Sequence, residues 1–244
     1  MSFPEKDGLA LVTGASGGIG AAIARHLAAA GFHVILTGRQ SAPLCGLAAS
    51  LGLSRTTVVP ADLTSEPDRR TLAARCANHL DLLVHCAGLF LPGPADMGPT
   101  MGPADMEPVS ARLAAINVTA PMALSSLCLA ALIAARGQIV FINSTAALNP
   151  ARPAHDAYAA SKRALKEAAD GLRPTLKGQH VRVLNVFPGR TDTAMQQQVL
   201  HSEARSSTSI PLLRPDDIAH MVLYCLRTPR RFELTDIVIR PENM

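Results

Sequence analysis

Short runs of apolar residues recur along the chain and alternate with longer stretches in which apolar residues stand three or four positions apart. The short runs predict buried β-strands, and the longer stretches predict amphipathic helices that pack one face on a core. Seven strands are predicted, at 9–13, 33–37, 57–60, 80–85, 138–143, 181–187 and 234–239. Because strands and helices alternate and no linker interrupts them, we expect one α/β domain over residues 1–244, with a doubly wound parallel sheet in a three-layer α/β/α arrangement.

A glycine-rich turn, GASGGIG at residues 14–20, follows the first predicted strand directly and leads into a helix. The amides of such a turn and the N-terminus of the helix behind it form a binding site for a pyrophosphate. The glycines are also compatible with a plain tight turn. The strand before them and the helix after them favour a Rossmann-like dinucleotide site.

Two strand ends carry residues suited to the adenosine half of a dinucleotide. Arg39 follows the second strand, where an acid would accept from the ribose 2′-hydroxyl of NAD and an arginine suits the 2′-phosphate of NADP. No acid stands near it in the sequence, so Arg39 favours NADP, although a solvated loop arginine would leave the same pattern. Asp62 follows the third strand, and its carboxylate can accept from the adenine amino group, cap the turn, or do both.

The stretch Leu113–Ala135 contains no charged residue and is long enough to cross a bilayer. It also contains polar residues, Asn117 among them, and lies between two predicted strands of one sheet. We therefore interpret it as one long helix buried at the core or at a subunit interface. Asn117 is an unfavourable residue for a helix interior, and bonding to neighbouring backbone is the simplest explanation for it.

Tyr158 and Lys162 lie four residues apart in a run of good helix formers, so both side chains project from one helix face. An ammonium beside a phenol favours the phenolate and is expected to lower the phenol's pKa. A phenol tuned in this way can exchange a proton with a substrate oxygen. Taken alone, the pair also fits an ordinary helix with a half-buried tyrosine and a solvated lysine.

Composition narrows the class of protein. Aromatic residues make up only 3% of the chain, so the core must be aliphatic. The net charge is +4, but the basic residues are scattered, which argues against a nucleic-acid surface. Five cysteines without a CxxC pair predict free thiols, and the first residues, MSFPEKDG, lack a secretory signal pattern, so we expect a cytoplasmic protein without a metal site.

Two segments are predicted to be irregular. The Pro/Gly-rich stretch 92–108 contains GPADM twice, at 93–97 and 102–106, which looks like a local duplication in a mobile loop. Residues 194–213 are polar and predict a flap over a site, which would select the substrate. Arg190 and His155 are candidates for the entrance to that site, with a solvated position as the favoured interpretation for both.

Taken in order, these motifs resemble those of the short-chain dehydrogenases/reductases, in their compact branch. The matching residues span nearly the whole chain: Thr13-Gly14-x-x-x-Gly18-x-Gly20, the Asp62 turn, Ala87-Gly88, Asn117, Ser144, Tyr158-x-x-x-Lys162 and Pro188-Gly189…Thr193. The resemblance implies an enzyme that transfers a hydride between a nicotinamide cofactor and a carbonyl/alcohol pair.

The resemblance also implies individual roles. Tyr158 would be the general acid in carbonyl reduction, Ser144 would hold the substrate oxygen, and Lys162 would bind the nicotinamide ribose and lower the pKa of Tyr158. Asn117 would hold a water that links Lys162 to solvent. The residues implied in cofactor binding are Gly14, Ser16, Gly18, Ile19, Gly20, Arg39, Asp62, Leu63, Ala87, Gly88, Tyr158, Lys162, Pro188, Gly189, Thr191 and Thr193.

The chain departs from the family pattern in three places. Ser144 lies 14 residues before Tyr158, one more than is common, so Thr145 is the substitute if the strand register shifts. The family's usual Asn-Asn-Ala-Gly reads His85-Cys86-Ala87-Gly88, and we interpret His85 as a strand residue and not a catalyst. The duplicated loop adjoins the substrate entrance and could reshape it.

Three functions fit the sequence. The first is an NADP(H)-dependent reductase or dehydrogenase of a small carbonyl or alcohol, forming a homodimer or homotetramer, with NAD the less favoured cofactor. The second is a catalytically weak or inactive nucleotide sensor on the same fold, which would need only the glycine-rich half and not the set of Asn117, Ser144, Tyr158 and Lys162. The third is a scaffold that acts through the uncharged helix.

Overall fold

Seven parallel strands form one sheet in the computed structural model, which describes residues 8–91, 103–149, 156–203, 205 and 210–242. The strands are β1 (Leu9–Thr13), β2 (His33–Gly38), β3 (Thr56–Pro60), β4 (Leu82–His85), β5 (Gln138–Ile142), β6 (Arg182–Pro188) and β7 (Asp236–Ile239). Their order across the sheet is β3-β2-β1-β4-β5-β6-β7. This order confirms the predicted doubly wound sheet, and the strand ends differ from the predicted ones by no more than a residue or two.

Helices cover both faces of the sheet. They are α1 (Gly18–Ala29), α2 (Ser41–Leu51), α3 (Glu66–Ala74), α4 (Pro103–Ala114), α5 (Ala120–Leu127), α6 (Leu129–Ala135), α7 (Asp156–Lys177), α8 (Ala194–Ser202) and α9 (Pro215–Leu226). The α1, α2 and α9 helices pack on one face, and α3, α5, α6 and α7 pack on the other. The three-layer Rossmann-like arrangement is thus as predicted.

Successive residues of a strand serve the two faces in turn. In β1, Val12 joins the cluster beneath α1 and α9, whereas Leu11 joins the cluster beneath α3 and α7. Because side chains alternate across a strand, a central parallel strand must be apolar at nearly every position. Both clusters consist chiefly of Ala, Val, Leu and Ile, which is the aliphatic core that the composition predicts.

The chain changes its direction of winding between β1 and β4, and a crevice opens there at the carboxyl ends of the strands. Thr13 closes the base of this crevice, since its Oγ1 accepts from the backbone N–H of Cys86 and of Ala87, both at 3.1 Å. Gly14 follows with φ +64°, and a β-carbon there would lie 2.7 Å from the Ala87 nitrogen. Only glycine fits this turn, and the close approach of the two backbones defines the floor of the site.

The uncharged stretch is not the single helix that its composition predicts. A π-helical segment, Ala115–Thr119, follows α4, and the chain breaks again at Cys128 between α5 and α6. Pro121 at the start of α5 lacks an N–H group, so the regular helical ladder cannot run through this point. No single helix among the described residues is long and apolar enough to cross a bilayer, and Pro108–Leu127 and Leu129–Ala135 meet that test only together, across a bend of 59°.

Both segments predicted to be irregular contain helix. The second GPADM copy enters the first turns of α4, where Pro103 stands at the first helical position, while the first copy lies outside the described residues. The flap contains α8, which Thr193 caps by accepting from the backbone N–H of Gln196 at 3.1 Å. The polar composition of 194–213 concealed this helix because its apolar face is narrow.

The glycine-rich turn provides a test of the fold by matched glycine substitutions. A β-carbon on Gly20 would lie 2.2 Å from the carbonyl oxygen of Gly14, whereas one on Gly46, in α2, would meet no atom within 4 Å. Gly20→Ala should therefore lower the free energy of unfolding by about 3 kcal/mol. Gly46→Ala should raise it by about 0.5 to 1 kcal/mol, since alanine is the better helix former. Urea unfolding measures both, and equal stability of the two variants would contradict the observed turn.

Candidate active site

A cavity of about 780 Å³ lies at the carboxyl edge of the sheet. Among the sequence-predicted site residues, those that line it are Gly14, Ser16, Gly18, Ile19, Gly20, Arg39, Asp62, Leu63, Ala87, Gly88, Ser144, Tyr158, Lys162, Pro188, Gly189, Thr191 and Thr193. Asn117 is the exception, because it lies behind the wall. Segments far apart in sequence thus contribute to one cavity, since parallel strands present their carboxyl ends at the same edge.

Tyr158 projects from the first turns of α7, and the hydroxyl of Ser144 lies close enough to its phenol to lower the pKa of that phenol. Ser144 follows β5 and caps a short 3₁₀ turn, Thr145–Ala147, by accepting from the N–H of Ala146 at 3.1 Å. The hydroxyl beside the phenol is therefore that of Ser144 and not the alternative, Thr145. The ring of Phe90 meets the Tyr158 ring edge-on, with centroids 5.4 Å apart, and so fixes the plane of the phenol.

Lys162 is buried at the site, with only 4% of its surface exposed. Its Nζ donates to the carbonyl of Ile142 at 3.2 Å and lies 5.9 Å from the centroid of the Tyr158 ring. Burial lowers the pKa of Lys162 to about 8. Burial is also the main cause that raises the pKa of Tyr158 to about 12, against the weaker opposing effect of the Ser144 hydrogen bond.

The direction of the Tyr158 shift differs from the sequence-based expectation, in which the ammonium lowers the pKa of the phenol. Removing a phenolate from water outweighs the favourable effect of the Ser144 hydroxyl, and the Lys162 ammonium does not lower the pKa, so the phenol stays protonated at neutral pH. Tyr158 is accordingly a proton donor at rest, which is the form that reduction of a carbonyl requires.

Asn117 sits in the π-helical segment and braces the site from behind. Its Oδ1 accepts from the N–H of Leu89 at 2.8 Å, while its Nδ2 donates to the Leu89 carbonyl at 2.9 Å and to Ser161 Oγ at 3.0 Å. Ser161 Oγ in turn donates to the carbonyl of Tyr158 at 2.7 Å. Asn117 therefore locks the loop after β4 to α7, and the irregular helix is the backbone feature that lets its side chain reach both.

Gly88 has no side chain that could block the Lys162 ammonium. A β-carbon there would lie 3.5 Å from Asn117 Oδ1 and 3.6 Å from Lys162 Nζ. A larger side chain at this position would therefore stand between the ammonium and the cavity.

The opposite end of the cavity carries the glycine-rich turn and Arg39. A β-carbon on Gly18 would lie 2.9 Å from Thr193 Cγ2, so the turn and the loop after β6 approach each other closely. Asp62 Oδ1 accepts from the N–H and the hydroxyl of Thr64, at 2.9 and 2.7 Å, and these bonds lower the pKa of its carboxyl. The turn-capping role of Asp62 is thus realised. The charge of Arg39 also lowers that pKa, so an acid distant in sequence does lie within reach of Arg39.

His85 is a structural residue, as its strand position suggests. It is buried, its Nε2 shares a hydrogen bond of 2.8 Å with Ser125 Oγ, and its ring stacks on Phe141 with centroids 4.9 Å apart. Burial lowers the pKa of His85 to about 3, so the imidazole is neutral at ordinary pH. It ties β4 to α5 and does not line the cavity.

Sequence reasoning missed the polar wall of the flap. Arg190 does not lie in solvent as we expected: its side chain is 12% exposed and pairs with Glu203, whose carboxylate oxygens are both 2.7 Å from Arg190 Nη2. Gln196, on α8, is also buried and lines the cavity. The other expected entrance residue, His155, lies outside the described residues. Arg190 and Glu203 lie 13 positions apart with a helix between them, so no strand or helix periodicity in the sequence predicts that they pair.

The strand order, the glycine-rich turn and the cavity at the carboxyl edge define a Rossmann-like α/β protein, and comparison with known proteins identifies its family. The family model described as short chain dehydrogenase matches residues 8–204, most of the chain. The protein therefore belongs to the short-chain dehydrogenase/reductase family of oxidoreductases, as the resemblance of its motifs implies.

Several relatives match over nearly their whole length. An uncharacterized oxidoreductase of Staphylococcus saprophyticus is 30% identical over 244 residues, which cover 97% of this chain and 98% of the relative. The dehydrogenase/reductase SDR family member 11 of Homo sapiens is 33% identical over 253 residues, covering 97% and 95%.

Solved structures agree with the fold. A metagenomic short-chain oxidoreductase in complex with NADP is 30% identical, with a TM-score of 0.76, and the match covers 97% of this chain and 98% of that one. The Pseudomonas aeruginosa RhlG/NADP active-site complex is 26% identical, with a TM-score of 0.83, covering 98% and 96%.

The buried ammonium predicts a pH-dependent stability difference. The folded pKa of Lys162 is about 8 and the ordinary value is 10.5. Below pH 8 the lysine is charged in both states, so burying the ammonium there lowers the free energy of unfolding by the full amount. This cost disappears as the pH rises from about 8 to about 10.5, where the unfolded chain also loses the proton. Lys162→Met should therefore raise the free energy of unfolding at pH 7 by about 1 to 2 kcal/mol, after loss of the Ile142 hydrogen bond.

Urea unfolding at pH 7, 8.5 and 10 measures this gain, which should shrink as the pH rises. Lys177→Met, at an exposed position of the same helix, is the matched control and should show no comparable trend. A Lys162→Met variant that is less stable than the wild type at pH 7 would mean that the ammonium is not buried as observed.

Proposed function

We propose that the protein is an NADP(H)-dependent oxidoreductase that interconverts a carbonyl and an alcohol, with Tyr158 as general acid/base. One observation carries the proposal: the hydroxyl of Ser144, the phenol of Tyr158 and the ammonium of Lys162 converge in the cavity that the glycine-rich turn also lines. A fold that only binds a nucleotide does not need that convergence.

The residues present fit a dinucleotide. The turn at 14–20 is free of side chains larger than those of Ile19 and Ser16, so its amides and the N-terminus of α1 are open to a pyrophosphate. Arg39 at the end of β2 would take the 2′-phosphate, and Thr191 and Thr193 lie beside Pro188 and Gly189 at the other end. The bound nicotinamide would supply the hydride chemistry, and every other task falls to side chains of this chain.

The proton is the protein's contribution to carbonyl reduction. Tyr158 is protonated at neutral pH and, in this proposal, donates its proton to the substrate oxygen, while Ser144 hydrogen-bonds the same oxygen and holds it in reach. The ammonium of Lys162 faces the phenol ring, and its charge stabilises the phenolate left behind. The alcohol direction uses the same groups in reverse, with Tyr158 as the base.

Asn117 would contribute by position. Its amide already holds the loop after β4 and the start of α7, so the Lys162 ammonium and the Tyr158 phenol keep a fixed separation. A water beside Lys162 would complete a proton path to solvent behind Gly88, where the ammonium and the Asn117 oxygen approach the same point.

Two matched structures support NADP as the cofactor, because they are described as NADP complexes and share 26 to 30% of their sequence with this chain. Arg39 supports the same preference from the residues themselves, since a guanidinium pairs with a phosphate through two parallel hydrogen bonds. The nucleotide sensor remains the alternative that the following experiments exclude or favour.

Tyr158→Phe tests the catalytic proposal. Losing the phenolic proton should lower kcat for NADPH-dependent reduction of a responsive carbonyl compound by about a thousandfold, within the usual range for general acids. NADPH affinity, measured by the fluorescence of the bound cofactor, should change little because phenylalanine preserves the contact with Phe90. Tyr224→Phe, at the exposed tyrosine of α9, is the control and should behave as the wild type. A wild type that oxidises NADPH with no member of a broad carbonyl panel would favour the sensor.

Arg39→Ala tests the choice of cofactor. The variant should bind NADPH about ten- to a hundredfold more weakly, because the 2′-phosphate loses its guanidinium, and should bind NADH as the wild type does. Arg25→Ala, at an exposed position of α1 away from the cavity, is the control. Equal losses for both nucleotides would show that Arg39 does not read the 2′-position.

A further inference from the structure

The flap side of the cavity is built around a largely buried ion pair that the reduction of a carbonyl does not require. Arg190 comes directly after Gly189, and Glu203 follows α8, so their pairing closes the flap onto the strand end it leaves. A backbone bridge between Thr191 and Leu213 fastens the same segment a second time. Both side chains of the pair line the cavity, with 12% and 13% of their surfaces exposed.

Two buried donors on this wall have no acceptor among the residues that the structure describes. Arg190 uses Nη2 for Glu203, but its Nη1 has no partner, and the Nε2 of Gln196 has none either. Both residues line the same cavity, but the two donor atoms are themselves buried, so a ligand in the cavity contacts them only once these side chains turn toward it. A buried polar group without a partner costs roughly 1 to 3 kcal/mol, so two of them in one wall indicate that something else supplies an acceptor.

The chemistry of the missing acceptor follows from Arg190. A carboxamide can present either its N–H or its oxygen by turning over, but a guanidinium can only donate, so the partner must be an acceptor oxygen. Glu203 already neutralises Arg190, so an anion placed here would meet a carboxylate. Arg112 and Arg240 also line the cavity, but both are exposed, and water and salt screen their charge. A neutral oxygen fits this wall better than an anionic one.

We propose that Arg190 and Gln196 bind a second, neutral oxygen of the substrate, so that the preferred substrates are carbonyl compounds that carry a further carbonyl, ester or hydroxyl group. This inference rests on the proposed function, because it assigns a subsite for the substrate of that reaction. The reacting carbonyl lies at Tyr158 and Ser144, and the second oxygen lies at the flap. The flap thereby selects the substrate by satisfying its own unpaired donors.

Gln196→Met is the main test, because it removes the donor with little change of volume and leaves the Arg190–Glu203 pair intact. The carbonyl compounds are chain-matched pairs: 2,3-butanedione with 2-butanone, and ethyl acetoacetate with 2-heptanone. The ratio of wild-type to variant kcat/KM cancels the intrinsic reactivity of each compound. It should be about ten for the compounds with a second oxygen, chiefly through KM, and close to one for the simple ketones.

The matched control is Gln197→Met, on the exposed side of the same helix turn, and it should leave both ratios near one. Arg190→Lys keeps a charge for Glu203 but removes the forked donor. If one oxygen accepts from both residues, the double variant should lose less than the product of the two single losses, and this coupling is a readout that a purely structural role would not produce. The neutral character is tested by methyl levulinate against levulinate, with the ester preferred.

The outcomes separate this inference from the proposed function. If the wild type reduces simple ketones and dicarbonyl compounds and Gln196→Met lowers kcat/KM equally for both, the proposed function stands and the second-oxygen site is overturned. A preference for levulinate over its ester would overturn the neutral site, and an equal loss of NADPH affinity in the variants would assign the donors to the cofactor. A wild type that reduces none of the compounds would overturn the proposed function, and the inference with it.

Discussion

The site depends on one constraint, the burial of the Lys162 ammonium without a carboxylate beside it among the described residues. A pKa near 8 in place of 10.5 corresponds to about 3 kcal/mol spent on desolvation, of which the Ile142 carbonyl recovers only part. A fold of ordinary stability carries such a cost only where the buried charge has a use. The same desolvation makes the charge effective, because an ammonium out of water stabilises a nearby phenolate far more than a solvated one does.

The elements around Lys162 form a single mechanical unit. The end of β5 supplies the carbonyl that Lys162 binds, and Ser144 follows two residues later, so one strand end holds both the ammonium and the Ser144 hydroxyl at the cavity. The loop after β4 is held by Thr13 on one side and by Asn117 on the other. Because parallel strands end at one edge of the sheet, all of these hydrogen bonds hold groups at the cavity. The irregular helix at Asn117 is therefore part of the scaffold of the site.

The sheet, its winding and most of the cavity could be predicted from the sequence, because apolar runs, the glycine spacing and the Tyr158–Lys162 interval are all short-range patterns. The features that could not be predicted from the sequence depend on contacts between distant segments. The direction of the Tyr158 pKa shift is set by burial, which no local pattern reports, and the breaks in the uncharged stretch come from Pro121 and from the demands of Asn117. Arg190 reads as a loop residue until Glu203 is seen beside it. The motif Tyr158-x-x-x-Lys162 is predictive only because several other motifs accompany it in order.

The flap combines two demands in one ion pair. If Arg190 only closed the flap, a lysine or a pair of apolar residues would serve, and buried ion pairs are often no more stabilising than apolar replacements. A guanidinium, by contrast, can hold Glu203 with one nitrogen and offer the other to a ligand, which a lysine cannot do in a fixed geometry. Closure of the flap and recognition of the substrate are then coupled, because an acceptor at the second nitrogen would satisfy the wall only when the flap is seated. In this proposal Gln196 contacts the substrate but takes no part in the ion pair that closes the flap. Substitution of Gln196 therefore separates substrate recognition from flap closure.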